Sequence, residues 1–384
     1  MKVVGLHIGV RALGGHTRCF LTVMDILKGM GHKVIIYDRF RGETRSVVNG
    51  TIFTQKLTPG QIHYPIKDIR NYFPLKHLTW RDIHFADIPA VHWGWGYTPF
   101  DEKVMIELDN ANMIFTDCEA LVQLPTTIRT TLPDGRVDYA WRWAPKFIQY
   151  CHYPMKDLPP NRNPDYQPRL ILCNSQFTQK AVREQWHTEA HVLYPPIYCD
   201  VFNHTKTMRE RKYDLVFYAR LGADKYAFFG EIMHKLPGLK VAVIGSNYGL
   251  NDLLFKKVDL FRNATFDTIT NILGDSRIYI HLKGLETTKE LSEHFGQTIC
   301  DSAASGCLCF TPSTPSGSHE IPGVNVYYTV NDLVDQVKDA LNTMRKTDDT
   351  SIQVERDKEE RVKDTIIKLD PRFRKKEFQA TFTL

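Results

Sequence analysis

Glu293 and Asp301 stand eight positions apart in SEHFGQTICDSAASG, the stretch from Ser292 to Gly306. An ionised carboxylate accepts hydrogen bonds from two neighbouring hydroxyls at once, so acids in this setting suit the adjacent hydroxyls of a sugar. The segment reads as a helix that begins near Gln297, and Gly296 before it permits close backbone approach to a ligand. Glu293 then precedes the helix and Asp301 lies about one turn inside it. The plainer reading makes Glu293 a solvated loop acid and Asp301 a solvated helix acid. The residues around Asp301, TIC before and SAASGC after, strain that plainer reading.

Two further groups carry chemistry. Arg220 and Lys225 lie in YARLGADK, directly after an apolar run. Fixed positive charge at the carboxyl end of a parallel strand is what a departing diphosphate requires. A pair of solvated surface cations accounts for them as well. Gly14 and Gly15 follow the run KVVGLHIG and open a helix, where free N–H groups and the helix dipole favour an anion. Their spacing is not the G-x-G-x-x-G of nicotinamide enzymes, and a tight strand–helix turn explains them equally. His84, His92 and His281 have no metal-ligand spacing and read as core or surface histidines. The chain has no D-x-D triplet, so a metal-clamped diphosphate is not expected.

These residues need a scaffold, and the apolar pattern supplies one. Short buried runs alternate with amphipathic stretches, the mark of a parallel sheet with crossover helices. KVVGLHIG is a strand, and Phe20, Val23, Met24 and Leu27 form one helix face. HKVIIYD, AVHWGWG, ANMIFTD, KFIQYCHYP, RLILCNS and HVLYPP continue the series. The pattern lapses at CDVFNHTKTMRERKY, the best linker candidate, then resumes with DLVFYAR, LKVAVIGS, SRIYIHLK, CLCFTPS and VNVYYTV. Residues 39–83 fit the alternation least. There DIRNYFPLKHLTWRD mixes aromatic and basic residues, as a loop facing an acceptor or a membrane surface would, although a surface hairpin or helix is the plainer reading.

A chain of 384 residues implies two to three domains with room for sizeable cores. With 42% hydrophobic and 24% charged residues it is neither disordered nor collagen-like. No apolar run approaches the roughly 18 residues of a membrane span. The start, MKVVGLHIGVRALGG, reads as strand and turn rather than a leader. A net charge of +5 suits an anionic small molecule, a polyanion or an acidic membrane surface and singles out none of them. The eight cysteines are scattered without C-x-x-C, so buried reduced thiols and a reducing compartment are expected.

The run from Glu293 through Phe295, Gly296, Asp301 and Ala304 to Gly306 resembles the E-x7-E motif of retaining GT-B glycosyltransferases of family 4. Other segments follow in family order. GGHTRCFLTVMDILKGMGHKV resembles the N-terminal glycine loop and helix, CNSQFTQKAV the N/A-S-x-F-T segment, and VLYPPIYCDVF the strand before the interdomain linker. YARLGADK resembles the G-R-x4-K phosphate site, with Ala219 for the usual glycine. YCHYP and EHFG are similar to the α-1,2-mannosyltransferases that extend the dolichol-linked oligosaccharide. The motifs span roughly residues 1 to 345.

The resemblance implies an α/β GT-B chain of two Rossmann-like domains facing across a cleft. Residues 1–205 would take the acceptor, 206–345 the nucleotide sugar, and the tail 346–384 would return a helix to the N-terminal domain. Glu293 would bind donor-sugar hydroxyls and Asp301 the ribose. Arg220 and Lys225 would hold the diphosphate, helped by backbone amides at Gly296, Gln297 and Thr298. Gly14 and Gly15 would close on the donor, and His152 would lie near its sugar; a packed histidine at a strand end is the alternative there. The reaction would be retaining transfer of a hexose from a GDP- or UDP-sugar to a hydroxyl of a glycan, a lipid-linked sugar or a protein glycan. It would need no metal, no separate cofactor, no nucleic acid and no protein nucleophile. A cytoplasmic setting with peripheral membrane contact is expected. Two departures bear on this. Asp301 is one methylene shorter than the usual glutamate, and the usual G-G or G-P turn is missing after TPSTPSGSHEI, where Gly317 and Glu320 would stand in. Both point to an unusual donor or a weakened enzyme. The rival readings are a non-catalytic nucleotide- or sugar-binding protein of the same plan, a nucleotide-sugar epimerase or phosphorylase, and a nicotinamide oxidoreductase without its fingerprint.

Overall fold

A computed structural model of the chain describes residues 1–7, 15–39, 43–48, 51–56, 73–86, 102–117, 129–131, 137–139, 143, 145–152, 168–218, 223–245, 258–262, 264–283, 293–346 and 349–383. They form two compact units. Unit 1 holds residues 1–174 and 178–193, and unit 2 holds 175–177 and 194–384. AVHWGWG, Gly14 and Arg220 lie outside the described residues.

Unit 1 begins with β1 (Lys2–His7), α1 (Gly15–Gly29) and β2 (Lys33–Arg39). Two hairpin strands follow, β3 (Glu43–Val48) and β4 (Thr51–Lys56), then β5 (Ile83–Ala86), α2 (Glu102–Asp109) and β6 (Met113–Thr116). A second hairpin pairs β7 (Arg129–Thr131) with β8 (Val137–Tyr139). The series closes with β9 (Phe147–Cys151), β10 (Leu170–Cys173), α3 (Gln176–Trp186) and β11 (His191–Val192). The main sheet is parallel, in the order β11-β10-β9-β6-β1-β2-β5. The doubly wound order explains the apolar runs: β1 and β6 are covered on both faces, so they do not alternate with polar residues. Phe20, Val23, Met24 and Leu27 of α1 are buried, as their spacing predicts. Residues 73–82, which the alternation left unassigned, dock on α1. The buried Asp25 accepts the N–H groups of Lys76, His77 and Leu78 at 3.0, 2.7 and 2.6 Å.

Unit 2 contains β12 (Tyr213–Tyr218), α4 (Ala223–Lys235), β13 (Val241–Ile244), β14 (Asp259–Phe261), α5 (Phe266–Gly274) and β15 (Ser276–Ile280). It continues with α6 (Gln297–Ala304), β16 (Leu308–Pro312), β17 (Val324–Tyr327), α7 (Val330–Arg345), α8 (Asp349–Leu369) and α9 (Lys375–Thr383). Its parallel sheet runs β14-β13-β12-β15-β16-β17. Alternate side chains feed two cores. Val216, Ala242, Ile244 and Tyr279 enter one, and Leu215, Phe217, Val241, Val243, Ile278 and Ile280 enter the other. Full burial of a side chain such as Leu215 or Phe217 contributes about 2 kcal/mol.

The polar stretch before β12 is seated in this unit rather than solvated throughout. Met208 is buried, and Arg211 is 1% exposed, donating to the carbonyls of Ser276 and Ser305 at 2.7 and 2.8 Å. The charged tail is helical. Val362, Thr365 and Leu369 of α8 are buried, and Asp370 beyond it accepts the Cys199 N–H at 2.9 Å. Among the described residues the cysteines are buried and carry no disulfide. No described helix is long and apolar enough to cross a membrane.

Candidate active site

In both sheets the connections leave a strand in opposite directions at one place, between β1 and β6 in unit 1 and between β12 and β15 in unit 2. Parallel sheets bind ligands beyond the carboxyl ends of the strands at such a point. In unit 2 the chain leaving β15 supplies His281, Leu282 and Lys283, then returns at Glu293, His294 and Phe295 into α6. The sheet register sets Val216 beside Tyr279, so the ends of β12 and β15 lie together.

Glu293 is the charged centre of this crevice. Its Oε2 is 3.5 Å from His281 Nε2 and 3.5 Å from Lys283 Nζ, and its side chain is 20% exposed. Burial alone would push the carboxyl up, but His281 and the Lys283 ammonium reverse that and bring it down to about 2. Glu293 is therefore an anion at neutral pH. Burial takes the neighbouring His294 imidazole down to about 4 against the pull of Glu293, so it is neutral. Behind them, Tyr279 Oη lies 3.1 Å from His281 Nδ1 and 2.9 Å from Thr298 Oγ1. Burial raises the Tyr279 phenol well above its usual range, so it keeps its proton and orients both neighbours.

The backbone brings Glu293 and the start of α6 to the same place. Gly296 has φ of +87°, a left-handed conformation that a side chain rarely adopts, and a Cβ there would lie 2.7 Å from Ile299 Cδ1. Gly317 donates its N–H to the Glu293 carbonyl at 3.0 Å, and a Cβ on it would fall 1.8 Å from the His294 carbonyl oxygen. Gln297, the first residue of α6, is the unspent group. Both ends of its amide are buried without a hydrogen-bond partner. A buried amide of this kind is costly unless a ligand or water satisfies it. Asp301 is 0% exposed within α6, which removes the solvated reading for that acid.

The sequence-predicted residues thus fall into groups. Glu293, Gly296, Gln297, Thr298 and Asp301 are gathered at the β15–α6 junction of unit 2. Lys225 lies in the first turn of α4, and its side chain, like the whole of Arg220 and Gly14, is outside the described residues. Gly15 opens α1, and His152 follows β9, both in unit 1. Glu320 accepts the N–H groups of Gln176 and Phe177, both at 2.9 Å, and the Tyr194 hydroxyl at 2.9 Å. Sequence reasoning missed Lys283 and His294 and set His281 aside. The signal available was position: His281 directly follows the buried run of β15.

The unit 1 crevice holds another cluster that sequence reasoning missed apart from His152. Register sets Leu6 beside Thr116, so His7 at the end of β1 meets Asp117 just after β6. His7 Nδ1 lies 2.7 Å from Asp117 Oδ1, and His16 Nε2 and His152 Nε2 lie 3.4 and 3.8 Å from Asp117 Oδ2. The His152 ring is 4.8 Å from that of Tyr150 and 5.6 Å from that of His16.

No protein-family model matches the sequence, and no curated protein matches it by sequence. Solved structures match by fold. HepE of Anabaena, in complex with UDP-glucose, superposes with a TM-score of 0.66 at 12% identity, covering 100% of this chain and 99% of that one. A glycosyltransferase of Rickettsia africae gives 0.62 at 14% identity over 99% and 98% of the two chains. WaaG, a glycosyltransferase of lipopolysaccharide biosynthesis, gives 0.56 at 10% identity over 100% of both. The architecture is therefore α/β, with the two Rossmann-like units of the GT-B glycosyltransferase plan.

Proposed function

We propose that the chain is a retaining glycosyltransferase that moves a hexose from a nucleotide-diphosphate sugar to an acceptor hydroxyl. The observation that carries this reading is the unit 2 crevice: an ionised Glu293 beside Lys283 and the unspent Gln297 amide, at the switch point of a GT-B sheet. The family 4 resemblance and the UDP-glucose held by HepE support it.

In this reading Glu293 accepts hydrogen bonds from hydroxyls of the donor sugar, and Asp301 serves the ribose. The backbone amides of Gly296, Gln297 and Thr298 face the diphosphate, with Arg220 and Lys225 as its cations. Gly14, Gly15 and His152 keep the roles that the family resemblance gives them. The bond from the anomeric carbon to the diphosphate breaks, and a bond to the acceptor oxygen forms on the same face. The acceptor proton passes to the departing phosphate oxygen. Catalysis rests on stabilising the charge that develops on the leaving group, so neither a protein nucleophile nor a metal-bound diphosphate is required. The acceptor is a glycan, a lipid-linked sugar or a protein glycan, in a cytoplasmic setting with peripheral membrane contact.

A thermal-shift panel of UDP-, GDP-, ADP- and TDP-sugars, followed by hydrolysis and transfer assays on the hits, tests the reading. One nucleotide sugar is expected to raise the melting temperature and to release its nucleotide diphosphate. Failure of every donor in both assays would remove it.

A further inference from the structure

The unit 1 crevice holds three residues, His7, His16 and Asp117, that the transfer reading does not use. His7, His16 and Asp117 each offer a ligand atom, and these atoms all lie within 4.8 Å of one another. We propose that unit 1 binds one divalent transition-metal ion, of the zinc class, through His7, His16 and Asp117. This site does not depend on the transfer reading, which gives no role to His7, His16 or Asp117.

Three elements build the site. β1 ends at His7, β6 delivers Asp117 beside it by register, and the first turn of α1 swings His16 over both. Two imidazole nitrogens and one carboxylate oxygen suit zinc, cobalt or nickel, whereas magnesium and calcium take oxygen ligands. Three protein ligands leave a fourth position on zinc for water or another donor. His152 Nε2 stands 3.8 Å from Asp117 Oδ2.

Asp117 has an oxygen that a cation would satisfy. Its side chain is 1% exposed, and its Oδ2 is buried with no hydrogen-bond donor. A buried carboxylate oxygen without a donor is costly, and a cation in contact with it removes that cost. Asp38, also buried, adds negative charge beside His7 through the β1–β2 register. His7 is oriented for the task. Its Nδ1 faces Asp117, while its Nε2 lies 3.3 Å from Thr17 Oγ1. A hydrogen bond from the second ring nitrogen fixes the tautomer of a metal-binding histidine. His16, with 41% of its side chain exposed, leaves the route from solvent open.

The test uses the untagged full-length protein, stripped with chelator and titrated with Zn2+ alone by calorimetry, with melting temperature as a second readout. The expected result is one ion per chain, a raised melting temperature, and no response to Mg2+. His16→Ala changes an exposed side chain, keeps the fold, and is expected to weaken Zn2+ binding at least tenfold. Asp117→Asn is expected to abolish binding. If that variant does not fold, His16→Ala alone decides the matter. The proposal is overturned if the wild type takes up no stoichiometric Zn2+, or if His16→Ala binds it as tightly as the wild type.

Discussion

The two crevices share a strand order and differ in what surrounds their acid. In unit 2, Glu293 keeps 20% of its side chain exposed and faces Lys283, itself 35% exposed. Such a lysine can turn to water or to a ligand phosphate at little cost, which leaves the carboxylate available for substrate. In unit 1, Asp117 is 1% exposed and its neighbours are imidazoles from three different elements. One topology thus produces a site whose acid faces a half-exposed cation and a site whose acid is ringed by imidazoles. The slots are the same, strand ends and the first turn of the following helix. The partners decide whether an acid there is left to a substrate or held among imidazoles.

That contrast predicts effects of different kind and size. The largest falls on Asp117. Asp117→Ala leaves His7 buried without its carboxylate, and breaking such a pair is expected to cost about 3 kcal/mol, read from the urea midpoint. Gly317→Ala comes next, at about 2 kcal/mol, because its Cβ meets the His294 carbonyl and not a movable side-chain end. The same variant is expected to weaken donor binding, since Gly317 also holds the Glu293 backbone.

The pH dependence follows, with a sign set by burial. The folded protein keeps His294 neutral down to about pH 4, against an ordinary value of 6.5. The unfolded chain therefore binds the extra proton first, and stability falls as pH drops from 6.5 to about 4, by at most about 1.4 kcal/mol per pH unit. Glu293 acts in the next window. Its stabilisation is complete above 4.5 and is lost as pH falls toward about 2. Urea midpoints of His294→Asn are expected to be flatter than wild type between pH 6.5 and 4 and parallel to it below. A curve unchanged in the upper window would contradict the assignment. The smallest effect is at Gln297. Gln297→Leu removes an amide with no partner in the protein, so stability is expected to hold while donor affinity drops about fivefold, near 1 kcal/mol. Equal donor affinity would show that the amide does not meet the ligand.

Much of unit 2 was legible in the sequence, because its information is local. The apolar runs of β12, β13, β15 and β16 stand out, and Gly296 followed by small residues marks the start of α6. The buried state of Asp301 could be read from its neighbours. Lys283 and His281 were not legible as partners of Glu293, because their meeting depends on the end of β15 and the return of a later segment to it. The unit 1 cluster was harder still. His7, His16, Asp117 and His152 are far apart in the chain, and only the placement of β6 between β1 and β9 joins them. Arg211 shows the opposite failure. Its basic, polar stretch looks like a solvated linker, yet the guanidinium is buried on two backbone carbonyls, a partnership that composition does not reveal.

The most direct test of the central claim is the turnover of the responding nucleotide sugar by wild type and Glu293→Gln, measured beside their melting temperatures. The variant is expected to fold as the wild type does, to bind the bare nucleotide diphosphate equally, and to lose about 10²- to 10³-fold in rate. Wild-type turnover in a folded Glu293→Gln protein would contradict the account.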